Sequence, residues 1–387
     1  MVFSEVHFAW AQYLLWAALL LVAHTWFGYA VLILLLQRIC ARPPASRETA
    51  ELPSISVIVA AHNEEQLIAT KLRDCLNLDY PNGLLEILVV SDNSTDSTEQ
   101  IVSEFALRDP RIRLLRTQGR AGKSGAQNLA AEHAHGEIFL LTDANTHTQP
   151  NTLKRLVANF ADPQVGLVSA TVYFGHPVEA ISKGQGLYWK YEYVVRQAES
   201  DIGILATAGG QAMAMRKCLF RPIALMYGDD CVLPLDVRLQ NYRVLNDRHV
   251  VVFDTSPHTI EGELRARIRM TTRNWAGTLS RPALLNPLRF PMTAFGIISH
   301  KLLRWLTPFL LSLVFILNTF LVFRNEQVGL WFAQVLFYAC AIVGWLLTHR
   351  QKPAGIFAYP FSLCLANLGF FLGLIKVLRR QKITAYK

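Results

Sequence analysis

The chain has little charge for its length. Only 17% of its 387 residues are Asp, Glu, Lys or Arg, against 52% hydrophobic, a balance that excludes a disordered chain, a coiled coil and an ordinary soluble enzyme. It also has no C-x-x-C pair. Its six cysteines, Cys40, Cys75, Cys218, Cys231, Cys340 and Cys364, are scattered, which argues against a zinc site or a disulfide framework and reads as reduced thiols. From Phe8 to Leu36 no Asp, Glu, Lys or Arg occurs at all, a run longer than the ~20 residues a helix needs to cross a bilayer. No Lys or Arg precedes that run and no small-residue cleavage site is evident, so it reads as an uncleaved anchor rather than a signal peptide.

What is present divides the chain into greasy ends and a globular middle. Further apolar runs lie at Leu302 to Phe323, Val328 to Leu347 and Pro353 to Ile375, the last interrupted by Pro360. The expected organisation is an N-terminal transmembrane anchor over 1–37, a catalytic domain over 38–282, an amphipathic helix in the membrane interface over 283–300, and three membrane segments with a basic tail over 301–387. Arg38, Arg42 and Arg47 follow the anchor at once; the positive-inside rule therefore puts residue 1 outside and the middle domain in the cytoplasm. Four full crossings would leave Lys376, Arg379, Arg380, Lys382 and Lys387 outside, against that rule. Either the tail is translocated or the Pro360 segment is re-entrant.

In the middle, β-rich runs alternate with helical patterns: strands at Ile55 to Ala60, Leu85 to Ser91, Ile112 to Arg116 and Ile138 to Asp143, with helices after Asn63, Thr95 and Lys123. That rhythm predicts an α/β domain with a parallel sheet covered by helices and a ligand at the carboxyl ends of the strands. Polar loops sit at those ends: Ala61 to Glu65, Ser91 to Asp96 and Thr142 to Thr146. Gly119 to Ser124 looks like the end of a P-loop, but Thr117 stands where its first Gly would be. The segment can still bind phosphate, because Lys123 heads a helix whose amide end favours anions.

Each acidic motif has a plain alternative. Asp92 and Asp96 could simply cap the helix near Thr95, and for Asp96 capping is the better reading. Asp143-Ala144-Asn145 offers two oxygen ligands to a hard cation such as Mg²⁺ or Mn²⁺, yet D-x-N also occurs in ordinary turns. Asp229 and Asp230 open a helical pattern, where one cap would suffice. Arg265, Arg267, Arg269 and Arg273, with Trp275, form a basic stretch that anionic lipid alone could explain. Gly210 precedes the Met213 to Met215 strand and could be no more than a turn.

Six strings in order, SVIVAAHNEE, VVSDNSTDST, GRAGKSGAQNLA, LTDANT, GDDCVLPLDV and RMTTRNWAG, resemble the membrane-bound family 2 inverting glycosyltransferases of the cellulose, chitin and hyaluronan synthase-like branch. The resemblance implies a glycosyltransferase A-type, Rossmann-like nucleotide-binding domain and a hexosyl transfer from a nucleotide sugar, most simply a UDP-hexose or UDP-N-acetylhexosamine. It implies that Asp92 contacts the nucleoside, with Ala61, Asn63 and Glu65 in the same pocket and Lys123 near the diphosphate. Asp143 and Asn145 would hold the metal and Asp230 would be the general base, with Asp229 beside it. Gly210 would shape the acceptor site, while Arg273 and Trp275 would close over the diphosphate and acceptor. Asn145 stands in place of a second Asp, Thr271 in place of Gln and Asn274 in place of Arg, so the metal site has lost one charge and processivity does not follow.

The implied setting is a bacterial inner membrane, with a glycan or lipid-linked acceptor, membrane lipid as a partner, no nucleic acid, and an exopolysaccharide or cell-surface product. Four spans are few for a polymer channel, which leaves room for a homo-oligomer or an export partner subunit. The rival readings are a transferase of one sugar to a polyprenyl phosphate or other lipid, and a catalytically degenerate nucleotide-binding protein. The net charge of +9 is accounted for by the juxtamembrane cations and the basic stretch.

Overall fold

Strand side chains that are buried on both sheet faces set the centre of the molecule. In β1 (Ile55–Ala61), Val57 and Val59 enter one apolar cluster and Ile58 another, all at 1% exposure or less, as the two-residue period of a doubly covered strand requires. The computed structural model describes residues 9–42, 51–175, 179–255 and 259–379. Arg47, Arg380, Lys382 and Lys387 lie outside the described residues.

The other strands are β2 (Leu85–Ser91), β3 (Ile112–Arg116), β4 (Ile138–Asp143), β5 (His147–Thr148), β6 (Val165–Gly175), β7 (Ala212–Arg216) and β8 (Arg243–Thr255). They form one eight-stranded sheet in the order β3-β2-β1-β4-β7-β6-β8-β5. The first four strands are parallel, as the βα rhythm predicts. Beyond β4 the sheet is mixed: β7 runs antiparallel to β4 and β6, β8 is parallel to β6, and β5 is antiparallel to β8. The expectation of a parallel sheet therefore holds for half of it. Helices α2 (Ile68–Leu76), α3 (Thr98–Arg108) and α5 (Thr152–Ala158) cover one face, and α4 (Gly122–His133) and α7 (Asp229–Leu239) the other.

Among the described residues four helices are long and apolar enough to cross a membrane: α1 (Ala9–Cys40), α9 (Pro291–Val322), α10 (Val328–His349), and Gly355–Leu378, of which Ala358–Leu378 is α11. The helix opening at Pro291 does not end as a separate interfacial piece; it passes through a π-helical stretch at Ile297–Leu302 and runs on to Val322. Pro360 falls in the first turn of α11, where its missing N–H costs no helical bond. Two more helices bind this set to the sheet domain, α6 (Glu179–Ile202) and α8 (Ile260–Leu279).

Helix α8 contains the basic stretch and lies along α11 in the same direction. Ile260 and Leu264 meet Phe361 and Leu365 at one end. At the other, a Cβ on Gly369 would stand 2.7 Å from Arg267 Cβ, and one on Gly373 2.7 Å from Thr271 Cβ. This Gly-x-x-x-Gly face lets two helices approach closely, one of them charged. Replacing Gly373 with Leu forces them apart. Overpacking of this kind costs about 1–3 kcal/mol, so G373L should lower Tm by several degrees in a detergent melt, and an unchanged Tm would show that the contact contributes no stability.

Candidate active site

The strand register gathers the polar loops. Ala61 pairs with Ser91, and Ala60 with Asp143, so β1, β2 and β4 end at one edge, with Asp92 next in the chain. A cavity of about 760 Å³ opens there and extends between α6, α8, α9 and α11. Among its lining residues are Ala61, Asn63, Asp92, Lys123, Asp143, Asn145, Gly210, Asp229, Asp230 and Arg273.

Lys123 joins its two acidic sides. Heading α4, it places Nζ 2.5 Å from Asp143 Oδ1 and 3.0 Å from Asp229 Oδ2, and donates to the Gly210 carbonyl at 3.2 Å. Asp92, 3% exposed, accepts the amides of Ala121 at 2.6 Å and Gly122 at 2.9 Å, with Arg120 Nε 3.3 Å away. It thus holds the segment that presents Lys123, rather than capping the helix near Thr95. Asp96 does cap: its Oδ1 accepts the Thr98 amide at 3.0 Å.

Asp229 and Asp230 differ although they are adjacent. Burial alone would raise Asp229, but Lys123 and the Gln127 amide, donating at 2.8 Å, outweigh it and hold its carboxyl below the usual range. Burial and the neighbouring Asp229 charge push Asp230 up. Two adjoining carboxyls driven apart in this way are what an ionised anchor beside a proton acceptor requires. Space for the second is kept by glycines: a Cβ on Gly228 would fall 2.6 Å from Asp230 Oδ1, and one on Gly210 3.3 Å from Asp230 Cβ.

Two expected residues fall elsewhere. Glu65 does not line the cavity; its carboxylate accepts the Ser97 amide at 3.0 Å. Asn63, at φ 56°, turns the chain so that Glu64 faces the cavity instead, its carboxyl raised by burial and by Asp143 and Asp96. Trp275 packs against Trp305 at 5.3 Å between ring centroids and is absent from the lining, which instead takes Thr271, Arg273 and Asn274. Arg273 donates to Ser124 Oγ at 3.1 Å and to the Tyr227 carbonyl, behind Lys123.

Besides Glu64, two further residues escaped the sequence reading. Asp254, at the end of β8, accepts from Asn145 Nδ2 at 2.8 Å and from Gln211 Nε2 at 3.1 Å, so a carboxylate from another strand stands beside the D-x-N loop. Lys71, 1% exposed, donates to Thr142 Oγ1 and the Thr146 carbonyl, both at 2.8 Å, holding that loop from beneath. Among the described residues no three His, Cys, Asp or Glu side chains cluster as a metal site; the Lys123 ammonium lies between the acidic loops. Asp143, Asp254 and the Asn145 side-chain oxygen are nonetheless the ligand types that a hard divalent cation prefers, although Asn145 here turns its amide nitrogen to Asp254. This end of the cavity carries Glu64, Asp92, Asp143, Asp229, Asp230 and Asp254 against Arg120, Lys123 and Arg273, an excess of negative charge that more positive charge would relieve.

The displaced titration of Asp230 has a consequence for stability. The folded state binds its proton more tightly than the unfolded chain does, so stability falls as pH rises from about 3.9, the ordinary Asp value, through the raised one. Asp230→Asn removes that loss. Its Tm should exceed wild type at pH 7, with the difference shrinking toward pH 4; a variant less stable at pH 7 would contradict the assigned direction.

Comparison with known proteins agrees with this architecture. The family described as glycosyl transferase family 2 matches residues 56–220. A β-monoglucosyldiacylglycerol synthase of Nostoc sp. is 32% identical over 169 residues, 43% of this chain and 36% of that one; the chain thus matches about a third of that relative's length. An N-acetylglucosaminyltransferase of Rhizobium meliloti is 26% identical over 271 residues, 66% of this chain and 63% of the relative. The solved mannosyltransferase PcManGT of Pyrobaculum calidifontis, in complex with GDP-Man and Mn²⁺, superposes with a TM-score of 0.72 at 23% identity, covering 95% of this chain and 100% of that one. That likeness is one of fold. The match over residues 56–220, somewhat under half of the chain, thus falls on a mixed sheet whose fold is of the glycosyltransferase A type.

Proposed function

We propose that the protein is a membrane-embedded inverting glycosyltransferase that moves a sugar from a nucleotide sugar to a glycan or lipid-linked acceptor. The observation that carries this is the arrangement of Asp143, Lys123, Asp229 and Asp230 around one cavity. The acceptor hydroxyl oxygen attacks the anomeric carbon and its proton passes to Asp230. The bond from that carbon to the diphosphate oxygen breaks with its electron pair, and Lys123 and Arg273 face the charge left there. Asp143, the Asn145 carbonyl oxygen and Asp254 would hold Mg²⁺ or Mn²⁺, which supplies further neutralisation of the leaving diphosphate. Asp254 would restore the charge that Asn145 lacks.

Contacts at the helix ends support one membrane orientation. Gln12 Nε2 donates to Glu326 at 2.5 Å, and Arg42 N to the Asp201 carbonyl at 2.7 Å. The first contact joins the start of α1 to the α9–α10 turn; the second joins its end to the catalytic domain. Three crossings by α1, α9 and α10 then leave α11 on the domain side. Because α8 runs beside α11, a crossing α11 would draw the exposed Glu261 and Arg265 into hydrocarbon, a large cost. An α11 that stays on the domain side keeps Lys376 and Arg379 with the catalytic domain in the cytoplasm, as the positive-inside rule prefers. A reporter fused to the C-terminus should be active only as a cytoplasmic fusion; an active periplasmic reporter would refute this topology.

The activity is tested by nucleoside diphosphate release from UDP- and GDP-sugars by the purified protein with membrane lipid. Release should require divalent metal and fall by about 10²–10⁴-fold in Asp230→Asn, as loss of a general base does, while donor binding persists. Asp143→Ala and Asp254→Ala should each weaken Mn²⁺ binding, read by the resonance of free Mn²⁺, with Asp143→Ala also losing metal-dependent donor binding. Near wild-type turnover in Asp230→Asn would remove Asp230 from the role of base.

A further inference from the structure

Away from the sheet, the cavity changes sign. At its membrane end Arg196, Lys301 and Arg304 converge on one carboxylate, Glu192: Arg196 at 2.7 Å, Lys301 at 3.3 Å, and Arg304 in a shorter contact. All four line the cavity, and Glu192 and Arg304 are only 1% and 2% exposed. Glu199, 4% exposed and joined to Glu192 through His300, adds a second carboxylate; three cations against two carboxylates still leave an excess of buried positive charge, which is costly unless something anionic joins it. Arg304 makes the vacancy specific, because its buried Nε has no hydrogen-bond partner among the described residues. The rings of Trp26 and Tyr188 lie 5.5 and 5.7 Å from its guanidinium carbon, fixing the group without satisfying that N–H. Lys301 and Arg304 stand on the helix that runs on into the apolar span ending at Val322, so the cationic end meets the membrane boundary.

We propose that this end of the cavity binds the phosphate of a lipid-linked acceptor, holding the lipid at the membrane while the acceptor's hydroxyl reaches Asp230. The inference rests on the transferase reading of the same cavity and narrows its acceptor. It selects a phosphate-bearing lipid over a neutral glycolipid. A base also favours a hydroxyl nucleophile, since the oxygen of a bare phosphate is already ionised at neutral pH and offers no proton to remove.

The experiment is thermal unfolding of the full-length protein in an uncharged detergent, with UDP or GDP and Mn²⁺ present to fill the donor site. Farnesyl phosphate, farnesol and inorganic phosphate are then added separately. Farnesyl phosphate should raise Tm by about 3 °C or more, as a ligand well above its Kd does, while farnesol and inorganic phosphate should not. Lys301→Gln, at a position 20% exposed, should abolish that rise while keeping the rise given by nucleotide. Arg304→Gln should do the same where it folds. An equal rise with farnesol would reduce the site to an apolar groove, and an equal rise with inorganic phosphate would make it a free-anion site. An undiminished rise in Lys301→Gln would place the phosphate elsewhere; each of these results overturns the proposal. Failure of every nucleotide to raise Tm would count against the transferase reading instead, with the farnesyl phosphate and Lys301→Gln comparison still deciding this one.

Discussion

The ammonium of Lys123 between Asp143 and Asp229 is the contact on which the rest of the site turns. One carboxylate closes a strand of the sheet and the other opens a helix nearly ninety residues later, and Lys123 ties the two loops together directly. Its position is fixed from behind, because Asp92 holds the amides just before it and the Gly210 carbonyl accepts its third bond. Burial is the first cause that keeps Asp230 reluctant to ionise; Lys123 adds to it by stabilising the ionised Asp229, while its own charge on Asp230 acts the other way. A single cation therefore organises both the electrophilic and the basic side of the cavity.

Much of this was legible in the sequence, and the failures have identifiable causes. The first four strands announced themselves because each is a short apolar run ending in a polar loop, and their register then had to bring those loops together. The far half of the sheet was hidden: β8 carries Asn246, Asp247, Arg248 and His249 in its middle, where its pairing with β6 is also irregular, so no clean period survives. Glu64 and Glu65 could not be told apart without the left-handed turn at Asn63. Asp254 was invisible because its partnership with Asn145 spans 109 positions. Lys71 lies within an ordinary amphipathic helix, where a lysine reads as solvated; only the tertiary structure places it under the Asp143 loop.

The apolar segments were easier to find than to orient. Length and composition mark four helices among the described residues without distinction, whereas their neighbours separate them. Helices α1 and α9 pack apolar faces together through Leu15, Ala18, Val314 and Leu317, as helices surrounded by lipid can. Helix α11 spends its small residues on a charged helix that also walls the cavity. The same helix α8 thus answers to two environments at once, with Arg273 behind Lys123 and Arg267 against Gly369.

On the topology proposed above, that double allegiance would couple the site to the mechanical state of the bilayer. A helix lying along a membrane surface responds to curvature and to the packing of the lipids beneath it, and the Gly369–Gly373 face leaves α8 almost no slack with which to absorb such a shift. Membranes of different curvature stress would therefore reach the acid-lined cavity through helix displacement, making lipid packing itself an effector of the protein.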